Sequence, residues 1–349
     1  MNDRVYIIVL NWNGTKDTIE CLRSIKTSSY LNYMLIVVDN GSENESLNQL
    51  KSWCKNNFGE VLFYNKEQAE IAGTKNDEEA MNHLKSNETL IFIENNENLG
   101  FAAGNNVALR YLLKNNATYV MLLNNDTTID KDSVNIMMDF IRLHSDYVAV
   151  TPQIRYYKPR DRVWNCGGKI MWFGNRRYYY ADKNVDIVPV SGFKRITFIT
   201  GCAMLFKPSV TGILSEKFFF GEEDFDFSFR QKIANRKMAC CFSSIIYHKI
   251  SVSSRKINNN ILGSIYIHYL SRLIDNRQYS SSFMFFIKII LNLGYAILLM
   301  LIRYKVKPKK IYLLIKTMLI ELNRLDEISK EYFLKAFKEE FNHPVIWDK

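Results

Sequence analysis

MLLNNDTTID, residues Met121–Asp130, decides how the chain is read. An apolar run stops abruptly on two amides and a carboxylate. A buried strand that ends this way pushes Asn124, Asn125 and Asp126 out of the core together. The ending recurs twice upstream: VYIIVL (Val5–Leu10) stops at Asn11-Trp12-Asn13-Gly14, and MLIVVD (Met34–Asp39) runs into Asn40-Gly41-Ser42. Short apolar runs bounded by turn residues mark fully buried strands.

Helical patterns alternate with these runs. Helices are predicted over Thr15–Lys26, about Glu45–Asn57 and Ala102–Lys114, and further strands over VLFY (Val61–Tyr64) and LIFIEN (Leu90–Asn95). Strand–helix alternation implies an α/β fold with a mostly parallel, doubly wound sheet. Right-handed crossovers put the strand ends on one edge, and ligands of such sheets bind there. The three polar clusters are therefore expected to face one crevice. Lys66–Glu88 is polar and charged, an excursion from the core. Residues 151–254 read as mixed sheet with long loops, ITFITGCAMLF being strand-like around Gly201. Residues 255–349 read as helical.

A chain of 349 residues, 47% apolar and 23% charged, can fold as one large domain with an appendage or as two domains. The net charge of +10 is uneven: residues 255–349 hold 16 basic and 8 acidic side chains, leaving 30 and 28 for the rest. This charge sits among apolar residues, which favours anionic lipid over nucleic acid as a partner. None of the six cysteines forms a C-x-x-C pair, so reduced, buried thiols are expected rather than zinc or redox chemistry. MNDRVYIIVLNWNG lacks a secretory signal, and the catalytic part is expected in the cytoplasm. MFFIKIILNLGYAILLMLI (Met284–Ile302) almost reaches a membrane span but contains Lys288 and Asn292, and a basic run follows it. In-plane or peripheral association is favoured over a true span or an ordinary packed helix.

Asp126 offers the carboxylate that a Mg²⁺-type cation needs, while Asn124 and Asn125 offer only neutral groups. A site this light in charge needs a diphosphate to complete it. NENLGFAAGNN (Asn96–Asn106) is not the G-x-G-x-x-G fingerprint, yet Gly100 and Gly104 permit a tight loop before a helix N-terminus that favours an anion. In FFFGEEDFDFSFR (Phe218–Arg230), Phe225, Phe227 and Phe229 at spacing two are expected to bury one side and project Asp224, Asp226 and Ser228 from the other. A carboxylate in such a half-apolar cleft is a candidate general base. Arg230 is expected to pair with one acid. His248, after an apolar run, is a candidate ligand for a divalent ion.

The ordered set VLNWNG, VVDNGS, NENLGFAAGNN, LLNND, TGCAMLF, FFFGEEDFDFSFR and YHK resembles the family 2 glycosyltransferases. More narrowly, it is similar to the rhamnosyltransferase-like branch of bacterial surface polysaccharide synthesis (O-antigen or capsule). The resemblance spans about residues 4–255. It implies a GT-A fold, a nucleotide-sugar donor (dTDP- or UDP-linked), a divalent metal (Mg²⁺ or Mn²⁺) and inversion at the anomeric carbon. It implies a catalytic domain over 1–255, with a nucleotide half to about 130 and an acceptor half beyond, then a helical, membrane-associating extension over 256–349. On this resemblance Leu10 and Trp12 lie along the base with Asn11 beside them, and Asp39 binds base or ribose. Gly100, Phe101, Gly104 and Asn105 line the donor pocket with Asn124. Asn125 and Asp126 stand where the family's D-x-D carboxylates stand; Asn124 in place of the first acid departs from the strict motif. Asp126 holds the metal, and His248 adds a metal or diphosphate contact. Asp224 is the base, and Gly201, Cys202 and Glu223 meet the acceptor.

The expected activity is transfer of a sugar, rhamnose as first choice, to a saccharide or lipid-linked saccharide at the cytoplasmic face of the inner membrane. Nucleic acid is not an expected partner, and a homo-oligomer is left open. Two other readings stand: a sugar nucleotidyltransferase, which NWNGTKDTIE does not resemble at its first loop, and a non-catalytic, membrane-docked nucleotide-binding subunit.

Overall fold

The computed structural model describes residues 4–73, 86–250 and 261–338. Five parallel strands form its first half: β1 (Val5–Asn11), β2 (Tyr33–Asp39), β3 (Glu60–Asn65), β4 (Thr89–Glu94) and β5 (Tyr119–Asn124). Helices α1 (Thr15–Lys26), α2 (Asn44–Asn57), the short α3 (Lys66–Glu70) and α4 (Phe101–Lys114) lie between them. Residues 74–85, the middle of the expected polar excursion, lie outside the described residues.

Beyond β5 come β6 (Thr127–Ile129), α5 (Ser133–Leu143), β7 (Tyr147–Tyr156), β8 (Val163–Asn165), β9 (Gly168–Ile170), β10 (Arg176–Tyr178), β11 (Phe193–Ile196) and β12 (Ala203–Phe206). The one-turn α6 (Pro208–Thr211), α7 (Glu223–Ile233) and β13 (Lys237–His248) follow. The main sheet has the order β11-β13-β7-β12-β5-β1-β2-β4-β3, with β6 on β13 and β8 on β7. It is mixed because β12 runs antiparallel to both neighbours. Both faces are packed: Ile7, Val9, Leu35 and Val37 point into one apolar cluster, and Ile8, Ile36, Val38 and Leu122 into the other. A parallel strand covered on both faces must be apolar at every position, which is why the first strands read as unbroken runs.

Two segments differ from expectation. ITFITGCAMLF is two strands, because the chain crosses from the β13 edge to the gap between β5 and β7 within Thr197–Cys202. The Phe225–Phe229 stretch is helix α7, not a two-sided strand. Glu223, Asp224 and Asp226 fall in its first turn, where the helix dipole favours acids. Burial of Phe225, Asp226, Phe227, Ser228 and Phe229 all round the helix erases any period of two.

Helices α8 (Ile261–Gln278), α9 (Ser282–Leu298), α10 (Pro308–Arg324) and α11 (Lys330–Lys338) form the C-terminal region, with a π turn over Leu299–Arg303. They share an apolar cluster that includes Phe218, Tyr266, Leu270 and Met318. Among the described residues, Ser282–Arg303 is the one helical stretch long and apolar enough to cross a membrane, with mean hydropathy 2.3.

Candidate functional site

The strand ends meet as their shared edge requires. In register, Asn11 stands opposite Asp39 and Leu10 opposite Asn124. Asn11 is fully buried and organises the corner. Its amide donates to Asp39 Oδ1 (2.7 Å) and Ser42 Oγ (3.1 Å), and its oxygen accepts from the Thr18 hydroxyl (2.8 Å) and the Gly14 N–H (3.2 Å). Asp39 accepts also from the Ser42 N–H at 2.9 Å and is buried. Both of its oxygens therefore serve the loop that shapes the crevice. Trp12 is 47% exposed at the rim. A Cβ on Gly14 would come within 2.5 Å of the Asn125 amide, so β1 and β5 end in direct contact.

The Asn96–Asn106 loop is tied to β2 by one side chain. Asn40 donates to Asn98 Oδ1 and to the Gly100 carbonyl, both at 3.0 Å, and accepts from Asn95 (3.1 Å) and the Leu99 N–H (3.2 Å). Gly100 has φ 84°, and a Cβ there would fall 2.0 Å from the Phe219 carbonyl oxygen. Only glycine fits this conformation. A Cβ on Gly104 would press on Leu10 and Asn40, at 2.9 and 3.0 Å. Asn105 is buried and donates to the Phe101 carbonyl at 2.8 Å, a contact within α4.

At the end of β5, Asp126 Oδ1 stands 3.1 Å from His248 Nε2, brought there by the β6–β13 pairing. Burial opposes a charge on His248, but the neighbouring Cys202 sulfur and the Asp126 carboxylate outweigh it and lift the imidazole to about 10. Burial pushes the Cys202 thiol up. Lys249, next in the chain, bonds Asp17 (2.6 Å) and Glu20 (2.7 Å) of α1 and fixes the end of β13. With the His248 proton displaced, the Asp126–His248 pair would suit a divalent ion. One carboxylate and one imidazole already touch, and His248 Nδ1 and Asn124 Oδ1 are buried without a partner. Among the described residues no third His, Cys, Asp or Glu completes a metal group, so diphosphate and water oxygens would have to do so.

Asp224 opens the other wall. Its Oδ2 accepts from the Gly201 N–H at 3.4 Å, and its Oδ1 lies 3.5 Å from Arg176 Nη1. A Cβ on Gly201 would sit 3.1 Å from the Phe101 ring and 3.8 Å from Asp224 Cβ. Burial raises Asp224, with Arg176 pulling the other way. Burial and the charge of Asp224 push Glu223 to about 8. A half-buried carboxylate with a raised pKa is a competent proton acceptor.

Cys202 joins the two walls. Its carbonyl accepts from the Asn124 N–H at 2.8 Å, its thiol meets His248, and the preceding Gly201 N–H meets Asp224. The expected pairing of Arg230 is with Asp226, at 2.8 Å; it also donates to the Thr211 and Ile213 carbonyls, a structural role.

Two arginines were not foreseen. Arg176 on β10 stands between Asp224 and Glu222 (3.7 Å). Arg272 of α8, 1% exposed, grips Glu222 with two nitrogens, through Nε to Oε2 and Nη2 to Oε1 (2.8 Å). Its guanidinium lies over the Phe225 ring at 4.1 Å. Arg176 opens the run RRYYYADK, and nothing in its spacing names its partner.

Similarity to known proteins agrees with this geometry. The glycosyl transferase family 2 profile matches residues 6–76 and 72–211. A hexosyltransferase of low-salt glycan biosynthesis, Agl10 of Haloferax volcanii, is 23% identical over 294 residues, 81% of this chain and 78% of that protein. Among solved structures, the mannosyltransferase PcManGT of Pyrobaculum calidifontis, in complex with GDP-Man and Mn²⁺, aligns at TM-score 0.50 and 14% identity. That alignment covers 99% of this chain and 88% of that one. TarS 1–349 of S. aureus, in complex with UDP-GlcNAc, aligns at 0.50 and 14%, covering 97% and 82%. These likenesses place the fold as GT-A.

Proposed function

The chain belongs to glycosyl transferase family 2 and is a glycosyltransferase, and from that premise we propose that it moves a hexosyl group, with inversion, from a nucleoside-diphosphate donor to an acceptor hydroxyl. One observation carries the reading: the Gly201–Cys202 dipeptide touches Asp224 on one side and Asn124 and His248 on the other. A carboxylate able to take a proton thus faces a ligand pair able to hold a diphosphate through a cation. The donors bound to the fold's neighbours, GDP-Man with Mn²⁺ and UDP-GlcNAc, support a nucleotide sugar and a divalent ion here.

Asp126 and His248 would hold the ion, which would offset charge developing on the leaving diphosphate. The exposed Trp12 ring and Leu10 would receive the base, with Asp39 positioning the loop that carries Ser42. Gly100 and Gly104 would let the α4 end of the loop approach the donor closely. Asp224 would take the proton from the acceptor hydroxyl as its oxygen attacks the anomeric carbon. Glu223 would stand beside the acceptor. Orienting two substrates in this way is worth up to about 7–11 kcal/mol in ideal cases.

On the motif resemblance, the sugar we favour is rhamnose. The acceptor we favour is a saccharide carried on a lipid at the cytoplasmic face of the inner membrane. Residues 1–255 would be the catalytic unit and the following helices its membrane-associating extension. Thermal melting against UDP, dTDP and GDP, each with and without Mg²⁺ or Mn²⁺, tests the donor reading. Binding raises the melting point by mass action. A metal-dependent rise with one nucleotide, lost in Asp126→Ala, is expected. A rise that ignores metal and survives Asp126→Ala would refute the assignment of that pair.

A further inference from the structure

Helix α9 has two unlike faces. Lys288, Asn292, Leu293 and Ala296 turn inward and are buried. Lys288 Nζ donates to Ser280 Oγ (2.8 Å) and stands 5.4 Å above the ring of Phe229, a residue of the same α7 that carries Asp224. The Asn292 amide donates to the Phe173 carbonyl at 3.1 Å. The two residues that break the apolar run in sequence are therefore the ones that hold the helix to the catalytic body.

The opposite face is bare and uncharged. Phe283 is 74% exposed, Phe286 61%, Ile290 55%, Tyr295 56% and Leu298 54%. At 100° per residue these positions share about half of the helix circumference, over roughly 22 Å. An apolar strip of this length exceeds the scattered exposure normal on a soluble surface. Around it the charge has one sign. From Asn276 to Ile320 there are eight basic residues and no acidic one, five of them in Arg303–Lys310.

We propose that this face of α9 docks parallel to the surface of a bilayer containing anionic lipid. Its apolar residues would enter the headgroup–acyl boundary and the Arg303–Lys310 run would lie over the lipid phosphates. A spanning helix would have to strip Lys288 and Asn292 from their partners and carry them into hydrocarbon. A second copy pairing through the same face would give the basic run no negative partner, whereas anionic lipid supplies one. Lys288 of the docked helix reaches Phe229 of α7, so the surface would lie on the side of the helix that carries Asp224, near a lipid-borne acceptor; that last point alone rests on the transfer reading above.

The test is co-sedimentation of the full chain with phosphatidylcholine vesicles, with and without phosphatidylglycerol. Binding is expected only with phosphatidylglycerol, weakening as salt rises. The double substitution Phe286→Glu/Ile290→Glu should weaken it about tenfold or more, and Lys309→Glu/Lys310→Glu should also weaken it. All four positions are exposed, and an unchanged melting point shows that the variants fold. Release of bound wild-type chain by alkaline carbonate supports in-plane docking, whereas resistance to it overturns that geometry in favour of a span. Equal binding to both vesicle types overturns the anionic-lipid assignment. Absence of binding by a chain that sediments as a dimer, and becomes monomeric in Phe286→Glu/Ile290→Glu, assigns the face to a second copy instead. Donor hydrolysis without vesicles should stay within about twofold in these variants. Loss of hydrolysis in the wild type would fault the transfer reading and leave the docking result standing.

Discussion

Replacing Arg272 with Met tests how the C-terminal helices are joined to the catalytic helix. Arg272 and Glu222 are almost wholly buried, and Arg272 Nη2 meets Glu222 Oε1 at 2.8 Å. At an effective dielectric of about 20, opposite charges at that distance attract by roughly 6 kcal/mol before the cost of desolvation. Arg272→Met would leave Glu222 buried with Arg176 (3.7 Å) as its remaining cation and the His268 ring at 3.3 Å, whose charge burial disfavours. Breaking a buried pair from one side costs about 3–5 kcal/mol. For a chain of this size that corresponds to a fall in melting temperature of roughly 5–10 °C. Glu222→Gln/Arg272→Met should recover much of the loss, giving a coupling energy of about 2–3 kcal/mol in a double-mutant cycle. Because Glu222 lies two residues before Asp224 at the start of α7, donor hydrolysis should fall in the single variant and partly return in the double. Thermal and denaturant unfolding measure the cycle. Single variants that each cost under about 1 kcal/mol and add without coupling would refute the reasoning.

The same pair sets a pH dependence. Burial pushes Glu222 up, but Arg272, Arg176 and His268 reverse this and hold it well below the usual carboxylate range. Its stabilisation is present above the unfolded value of about 4.3 and is lost as pH falls through the folded value, so the wild-type advantage over Glu222→Gln should shrink below about pH 4. Asp275 of α8 behaves oppositely: it is buried with both carboxylate oxygens unpartnered, and burial raises it well above its ordinary value. It costs stability as pH rises above about 3.9, so Asp275→Asn should melt higher than wild type near neutral pH, with the difference closing towards about pH 4. Gly100→Ala should destabilise by at least about 2 kcal/mol and abolish the nucleotide-dependent rise in melting point, since Phe219 blocks the new Cβ. Arg176→Gln removes the cation that pulls Asp224 down, so the acid limb of the pH–rate profile for donor hydrolysis should move to higher pH.

What could be read from sequence was whatever a local period or an abrupt ending expresses. β1, β2 and β5 are buried on both faces, so their runs are unbroken and their polar ends conspicuous. Those endings put Asn11, Asp39 and Asn124–Asp126 on one edge of the sheet. α7 misled because its alternating Phe and acid mimic a strand. The acids on its buried side are neutralised by partners that sequence does not reveal: Arg230 and Tyr279 for Asp226, Arg272 for Glu222. Arg176 and Arg272 lie 46 and 50 residues from Glu222, beyond the reach of any periodicity. In sequence Lys288 only interrupts an apolar run, since summed hydropathy has no direction; the helix turns that lysine inward and leaves its apolar side bare.

The base assignment is the centre of the account, and Asp224→Asn tests it most directly. The measurement is nucleoside diphosphate release from the donor that raises the melting point in the presence of Mn²⁺ or Mg²⁺, compared between variant and wild type. The account predicts a loss of about 10²–10⁴-fold in turnover with the nucleotide-dependent melting shift retained, because Asn accepts the Gly201 N–H but cannot take a proton. Turnover within a few-fold of wild type, with binding intact, would contradict it and move the base elsewhere.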